Sequence, residues 1–191
     1  AKRPGVDFPI PLGDRYNDII ANPAAFQGKL VIGELYIRYV GKKDLLLSEN
    51  PMALSRFKLP RSRVVAATAV LKNDFVLVKA RVGGVVQDTR IVGYPEKYVV
   101  LKAIKFALSP KSINDLQGNP VPVPKVGEIN DERMFRNALR QANKLRGRTI
   151  HWNMIVKQVR KGKVWLIGPP MTDIKAAVSL SGKVRKLNPQ R

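Results

Sequence analysis

The sequence predicts an α+β fold with an antiparallel, β-rich core built from hairpins, about two helices, an extended N-terminal arm and a basic C-terminal tail. Three observations predict it: alternating apolar residues within 28–92, one helical apolar stripe over 131–146, and a cluster of prolines in the first 27 residues. A length of 191 residues with 45% hydrophobic side chains is enough for a real core. We divide the chain into an arm (1–27), a β-rich core with one helix (28–108), a linker (109–130), and a basic helix, hairpin and tail (131–191) that packs with the core as one domain.

The arm is defined by its prolines. Pro4, Pro9, Pro11 and Pro23 disfavour a long helix or a central strand and favour extended backbone. Between them, "DRYNDIIA" is compatible with a short helix capped by Asp14. We expect the arm to reach neighbouring subunits, so that deletion of residues 1–12 leaves the fold intact but impairs assembly.

The core begins with a strand pattern in "GKLVIGELYIRYVGKK". Leu35, Ile37 and Tyr39 occupy alternate positions, which predicts one buried and one wet face. Gly33 interrupts the pattern and is typical of a bulge.

The stretch "FVLVKARVGGVVQDTRIV" predicts a β-hairpin. Gly83 and Gly84 suit a two-residue turn with positive φ. Folding about this turn places Lys79 opposite Asp88, an opposite-charge pair.

The next stretch, "YPEKYVVLKAIKFALSP", favours a helix, although its β-branched residues leave a strand open. Val100, Ile104 and Leu108 fall on one helical stripe, and Lys102 and Lys105 lie off it. Residues 109–130 then combine four prolines with Gly, Asn and Ser, which predicts a long connection, partly of polyproline II conformation.

The strongest helix signal covers residues 131–146, "DERMFRNALRQANKLR". Asn130 or Asp131 is suited to cap it, and Gly147 to end it. Beside its apolar stripe runs a basic ridge. The ridge consists of Arg133, Arg136, Arg140 and Lys144.

A second hairpin follows in "TIHWNMIVKQV" and "KVWLIG". Four cations surround its predicted tip, where they repel one another unless an anion lies opposite. Trp152 and Trp165 lie on its two strands, where they either pack across the hairpin or stack on bases.

The net charge indicates the partner. The chain has 35 Lys and Arg against 14 Asp and Glu, a formal net charge of +21, and residues 131–191 alone carry +12. Such an excess opposes compaction unless a polyanion neutralises it, and nucleic acid is the commonest such partner. We therefore predict binding to the phosphate backbone of nucleic acid, weakly dependent on sequence and strongly dependent on salt.

The candidate nucleic-acid-binding residues lie mostly in the last third of the chain. Beyond the ridge they include the end of the helix, the hairpin tip and the tail. These are Arg133, Arg136, Arg140, Lys144, Arg146, Arg148, Lys157, Arg160, Lys161, Lys163, Lys183, Arg185 and Lys186. A second possible patch surrounds Phe57, itself more often a core residue at such a position. This second patch is Arg56, Lys58, Arg61 and Arg63.

Catalysis is not indicated. The chain has one histidine, His151, and no cysteine, and it contains none of the glycine-rich phosphate loops or nucleophile elbows. The fragment Asp173-Ile-Lys175 occurs in some metal-dependent nucleases, but no upstream carboxylates accompany it recognisably. We expect no enzyme, no cofactor and no metal site.

The leading interpretation is a non-enzymatic structural protein that coats or packages nucleic acid in a large assembly, as a viral nucleoprotein or capsid subunit does. Copies of itself or neighbouring subunits would be further partners. The alternatives are a ribosomal or other ribonucleoprotein component and a matrix-type protein that binds an anionic membrane, the less favoured partner. No apolar run approaches the roughly 18 residues of a membrane span, and no signal peptide is recognised, so a virion or intracellular (cytoplasmic) location is expected. DNA and RNA, and single and double strands, stay open.

Overall fold

The computed structural model describes residues 8–89, 97–114, 117–120, 127–128, 132–141, 150–151, 155–161, 163–167 and 175–179. The chain divides into two compact units, residues 1–121 and residues 122–191. The division of the chain into arm, core, linker and basic region stays a prediction.

Within its described residues, the first unit contains six strands and four short helices. The strands are β1 (Ile10–Pro11), β2 (Leu30–Val40), β3 (Asp44–Ser48), β4 (Phe57–Pro60), β5 (Phe75–Gln87) and β6 (Lys97–Leu108). The helices are α1 (Leu12–Ala21), α2 (Pro23–Phe26), α3 (Arg63–Ala66) and α4 (Pro110–Ile113).

Five of these strands close into a barrel. Antiparallel pairing joins β2 to β3 and β3 to β4, and β5 returns to lie beside β2, which is the Greek-key order. Strand β6 then pairs antiparallel with β5 and parallel with β4, which closes the ring. A five-stranded Greek-key barrel is the architecture of the OB-fold. The α+β class with a β-rich core is thus confirmed, whereas closure of the barrel was not predicted.

Residues 12–21 and 23–26 are helical, which confirms the short helix predicted in "DRYNDIIA", whereas extended backbone was wrong for the rest of this part of the arm. Leu12, Tyr16 and Ile19 lie one turn apart on α1 and are buried in the barrel core. Pro11 is at the N-cap position and Asp14 lies in the first turn, so the predicted cap was also wrong. Because Leu12 is 1% exposed, deletion through residue 12 removes core packing. Residues 1–7 lie outside the described range.

Gly33 permits this packing. Its pairing with Val78 continues without a register shift, so the predicted bulge was wrong. A Cβ at Gly33 would lie 2.6 Å from the Cβ of Leu12, and the helix therefore approaches the strand where a side chain is missing. The bulge lies further along β2, between Ile37 and Tyr39, and leaves Tyr39 exposed where burial was predicted.

The prediction of a hairpin turn at Gly83-Gly84 was wrong. Strand β5 runs straight through both glycines, and a register shift against β6 lies between Val82 and Val85. A Cβ at Gly83 would meet the Val100 carbonyl oxygen at 3.1 Å, so close backbone approach explains this glycine. The last pair of the β5–β6 ladder joins Gln87 to Lys97.

The helix predicted after residue 95 was also wrong, because Lys97–Leu108 is strand β6. Its β-branched and aromatic residues favour a strand, and pairing on both sides within the barrel overrides the helical stripe. The start of the predicted linker is likewise ordered. Helix α4 is capped by Ser109, and the backbone N–H of Phe75 donates to the Ser112 hydroxyl at 2.6 Å.

The second unit contains helix α5 and two small sheets. Helix α5 spans Glu132–Arg140, which confirms the predicted helix over these residues, whereas its predicted caps lie outside the described range. Strands β7 (Gly127–Glu128) and β8 (Ile150–His151) pair in parallel. Strands β9 (Ile155–Arg160) and β10 (Lys163–Ile167) form the predicted hairpin, and β11 (Lys175–Ser179) adds a third, antiparallel strand that was not predicted.

Candidate nucleic-acid interface

Lys58 of the predicted second patch is neutralised inside the protein. Its side chain is 13% exposed, and its Nζ lies 3.2 Å from an oxygen of Asp44 and hydrogen-bonds to Asp88. The two carboxylate side chains are 13% and 6% exposed. A lysine held between two nearly buried carboxylates is less available to a phosphate than an exposed one, and phosphate binding by Lys58 stays a prediction.

The other members of the second patch have different surroundings. Arg61 is partly buried and donates to the Gly41 carbonyl oxygen at 3.3 Å. Arg56 is partly buried, whereas Arg63 on α3 is exposed. Phe57 is fully buried in the core, as its strand position favoured. Phosphate contacts by these arginines stay a prediction.

The barrel carries an open basic surface on β5 and β6 that the sequence patterns did not predict. The cross-strand register places Lys79 opposite Lys105 and Arg81 opposite Lys102. Val78, Ala80 and Val82, the neighbours of Lys79 and Arg81 on β5, are buried, so these two cations face outward. Arg81, Lys102 and Lys105 are exposed, and Lys79 is partly buried. We call Lys79, Arg81, Lys102 and Lys105 the basic ladder.

The basic ladder is electrostatically unfavourable in isolation. Like charges directly opposite each other on neighbouring strands destabilise a sheet. Within the part of the chain that the structure describes, Lys79, Lys102 and Lys105 have no carboxylate partner. Arg81 donates to the Gly28 carbonyl oxygen at 2.8 Å. An external anion would relieve the repulsion.

An apolar groove borders the basic ladder. Ile32, Leu77 and Ile104 lie on the same outer face and are 43–44% exposed, although each is a large aliphatic side chain. The groove has a volume of about 700 Å³, and Lys79 and Lys105 also line it. Exposed aliphatic groups grouped in this way mark a contact surface more often than isolated ones do.

One carboxylate that lines the groove, Glu34, is already paired. Glu34 accepts hydrogen bonds from the Ser109 hydroxyl and from the Lys111 ammonium. Partial burial alone raises the pKa of Glu34, but these two hydrogen bonds outweigh burial and hold the pKa below its ordinary value. The Glu34 carboxylate is therefore ionised and bound by Ser109 and Lys111, and it does not neutralise the basic ladder.

The predicted ridge on α5 is not uniformly exposed. Arg136 is 7% exposed, beside buried Phe135 and Ala138, while Arg133 and Arg140 are partly buried. A role for this ridge in phosphate binding stays a prediction, and burial makes Arg136 the least accessible of its described members.

At the tip of the second hairpin, the register places Arg160 directly opposite Lys163. Lys161 follows with a left-handed φ of 48°, as two-residue hairpin connections require, and the side chains of Arg160 and Lys161 are exposed. Lys157 falls at a register shift of β9. The other predicted cations of this unit lie outside the described residues: Lys144, Arg146, Arg148, Lys183, Arg185 and Lys186.

Comparison with known proteins gives no family. No family model matches the chain, and no curated protein matches it. Solved structures show distant similarity: an OBody, AM3L09, bound to hen egg-white lysozyme is 14% identical with a TM-score of 0.32, and covers 44% of this chain and 84% of its own.

Two synthetases are similarly distant. The "putative aspartyl-tRNA synthetase" of Leishmania major Friedlin is 13% identical with a TM-score of 0.35, over 64% of this chain and 26% of its own. Asparaginyl-tRNA synthetase of Entamoeba histolytica, in complex with asparaginyl-adenylate, is 9% identical with a TM-score of 0.31, over 65% of this chain and 28% of its own. With TM-scores this low, the description of the fold rests on the strand order of the chain itself.

The described residues show neither a membrane span nor a metal-binding cluster. None of the helices there is long and apolar enough to cross a membrane. No group of three or more acidic or histidine side chains is placed there to hold a metal ion.

Proposed function

We propose that this chain is a non-enzymatic nucleic-acid-binding protein whose barrel contacts phosphates through the basic ladder. The observation that carries the proposal is the register of β5 and β6, which places four outward cations in two like-charged pairs. The Lys79–Lys105 pair has no carboxylate partner among the described residues. It costs stability in the free protein and is favourable once a polyanion neutralises it.

The second unit supports the same proposal. Its hairpin repeats the arrangement, with Arg160 opposite Lys163 and Lys161 beside them. The net charge of +21 means that both units gain by neutralisation. Because backbone phosphates repeat along any nucleic acid, binding through such contacts is expected to be weakly sequence-dependent.

The role in a large assembly is the finer part of the proposal. The charge excess suits a protein that coats or packages nucleic acid, as a viral nucleoprotein or capsid subunit does, and a ribonucleoprotein component is the alternative. Stoichiometry separates the two: many copies in one symmetric particle support a coat, and a single copy in a heterogeneous particle supports the alternative.

The test of nucleic-acid binding is the A260/A280 ratio of the purified full chain, followed by digestion with DNase and with RNase. We expect co-purifying nucleic acid that high salt removes. The proposal would be overturned if the purified chain carried no nucleic acid and instead bound protein-free anionic liposomes in a salt-sensitive way, which would favour a lipid-binding protein.

A further inference from the structure

We infer that the apolar groove beside the basic ladder receives unstacked bases, so that the barrel selects single-stranded over double-stranded nucleic acid. This inference rests on the proposed function and names its substrate class. Its basis is the alternation of aliphatic and cationic side chains on one outer face of β2, β5 and β6.

Each exposed aliphatic residue of the groove adjoins a cation of the basic ladder. Ile32 on β2 is the register partner of Lys79 on β5, and Leu77 precedes Lys79 by two residues on the same face. Ile104 is the extra residue at a register shift of β6, directly before Lys105. A nucleic-acid strand that touches these cations therefore also covers the aliphatic side chains.

A duplex cannot use such a surface well. Its bases are stacked inside, and only their polar edges and the phosphates face a protein. The three aliphatic side chains would then lie against charged phosphates or stay in water. A single strand carries phosphates and free base faces together, and base faces gain free energy when they leave water for contact with aliphatic side chains.

The opposite side of the barrel is closed to a ligand of this kind. OB-folds commonly bind oligonucleotides on the face of the second and third barrel strands, which are β3 and β4 here. All five residues of β3 are buried, and Lys58 on β4 is bound by Asp44 and Asp88. On the face formed by β2, β5 and β6, by contrast, Lys79 and Lys105 have no carboxylate partner among the described residues.

The test uses the full chain with the double substitution Leu77→Ser and Ile104→Ser. The probes are oligothymidylate and oligouridylate of about 15 nucleotides, near the upper site size of one OB-fold, and a duplex of the same length. The matched control is Met52→Ser with Leu54→Ser, which also removes two exposed apolar side chains, outside the groove. Urea unfolding checks that each variant is folded.

We expect the groove variant to bind at least one single-stranded probe about tenfold more weakly, with an unchanged salt slope, because the substitutions remove apolar surface under the bases and keep every cation that faces a phosphate. Its affinity for the duplex and the affinities of the control should not change.

Three results would overturn the inference while leaving nucleic-acid binding in place. These are tighter binding of the duplex by the wild-type chain, an equal reduction in affinity for both kinds of probe, and no reduction at all. If the groove variant showed no reduction in affinity, the groove would instead suit a protein partner that is both acidic and apolar. If the wild-type chain binds neither single strands nor duplex at low salt, the proposed function itself fails.

Discussion

Lys58 on β4 and Lys79 on β5 are both lysines on the outer face of the same barrel, yet their surroundings are opposite. Lys58 is nearly buried between Asp44 and Asp88, whereas Lys79 lies opposite Lys105 without a described carboxylate partner. The sequence pattern predicted the reverse, with Lys58 in a binding patch and Lys79 paired with Asp88. The prediction placed Asp88 opposite Lys79, whereas in the structure Asp88 binds Lys58.

The difference shows what makes a basic residue available to a ligand. A local cluster of cations such as "RFKLPRSR" says nothing about the carboxylates that the fold brings to it from distant strands. Availability follows from register, because register decides which charges are neighbours.

The largest expected effect is that of salt on nucleic-acid affinity, which depends on exposed cations such as those of the basic ladder. If the exposed cations of the whole chain neutralise about 6–10 phosphates, raising salt from about 50 to about 200 mM should lower nucleic-acid affinity by about 10³–10⁵-fold. Fluorescence anisotropy with a labelled oligonucleotide measures this dependence. A salt slope near zero would mean that the cations do not touch phosphates.

The next effect concerns Lys58, the lysine that is paired with Asp44 and Asp88. Lys58→Met should lower the free energy of unfolding by about 3–5 kcal/mol, because it removes the Lys58 ammonium from two nearly buried carboxylates. Urea unfolding measures it, and Lys79→Met is the matched control, expected to be neutral or slightly stabilising. Adding Asp88→Asn to Lys58→Met should recover part of the stability. If Lys58→Met and Lys79→Met were equally tolerated, the distinction between the two lysines would fail.

An uncharged substitution separates loss of fold from loss of binding. Leu12→Ala should lower the free energy of unfolding by about 2–5 kcal/mol, because Leu12 fills the space beside Gly33 in the barrel core. Under conditions where the variant stays folded, its salt slope for nucleic acid should equal that of the wild type. A Leu12→Ala variant as stable as the wild type would mean that Leu12 belongs to an arm that the fold does not need, as the sequence predicted.

The smallest effect is the pH dependence of Glu34, the paired carboxylate beside the groove. Because its pKa is lower in the folded state than in the unfolded state, it stabilises the fold above the unfolded value, and this contribution is lost as pH falls through the folded value. The stability difference between wild type and Glu34→Gln should therefore shrink on acidification below about pH 5. Urea unfolding at several pH values measures this, with Glu49→Gln as an exposed control. A difference independent of pH would contradict it.

Sequence patterns predicted the elements whose signals are local. The hairpin of β9 and β10, the central part of α5 and the helical character of residues 14–21 follow from neighbouring residues alone. The barrel does not, because its closure depends on β5 returning to β2 and on β6 pairing with β4, contacts between residues far apart in the sequence.

The same limit explains the errors at the candidate site. Gly83-Gly84 has the composition of a turn but lies inside a strand, where Gly83 allows close approach of the Val100 backbone. Placing the turn there shifted the register and gave Lys79 an acidic partner that it lacks. Lys102 and Lys105 were assigned to a helix, so their position opposite Arg81 and Lys79 could not be anticipated.

The most direct test of the basic ladder compares two double variants of equal charge. Lys79→Gln with Lys105→Gln removes one like-charged pair of the basic ladder, and Lys42→Gln with Lys43→Gln removes two exposed lysines at the other end of β2. The salt dependence of oligonucleotide affinity, measured by anisotropy, should fall by about one unit of slope for each lysine–phosphate pair that the first variant removes, and it should stay unchanged in the second. The first variant should also be as stable as the wild type or slightly more so. Equal salt slopes for the two variants would contradict the account, because binding would then depend on net charge and not on the basic ladder.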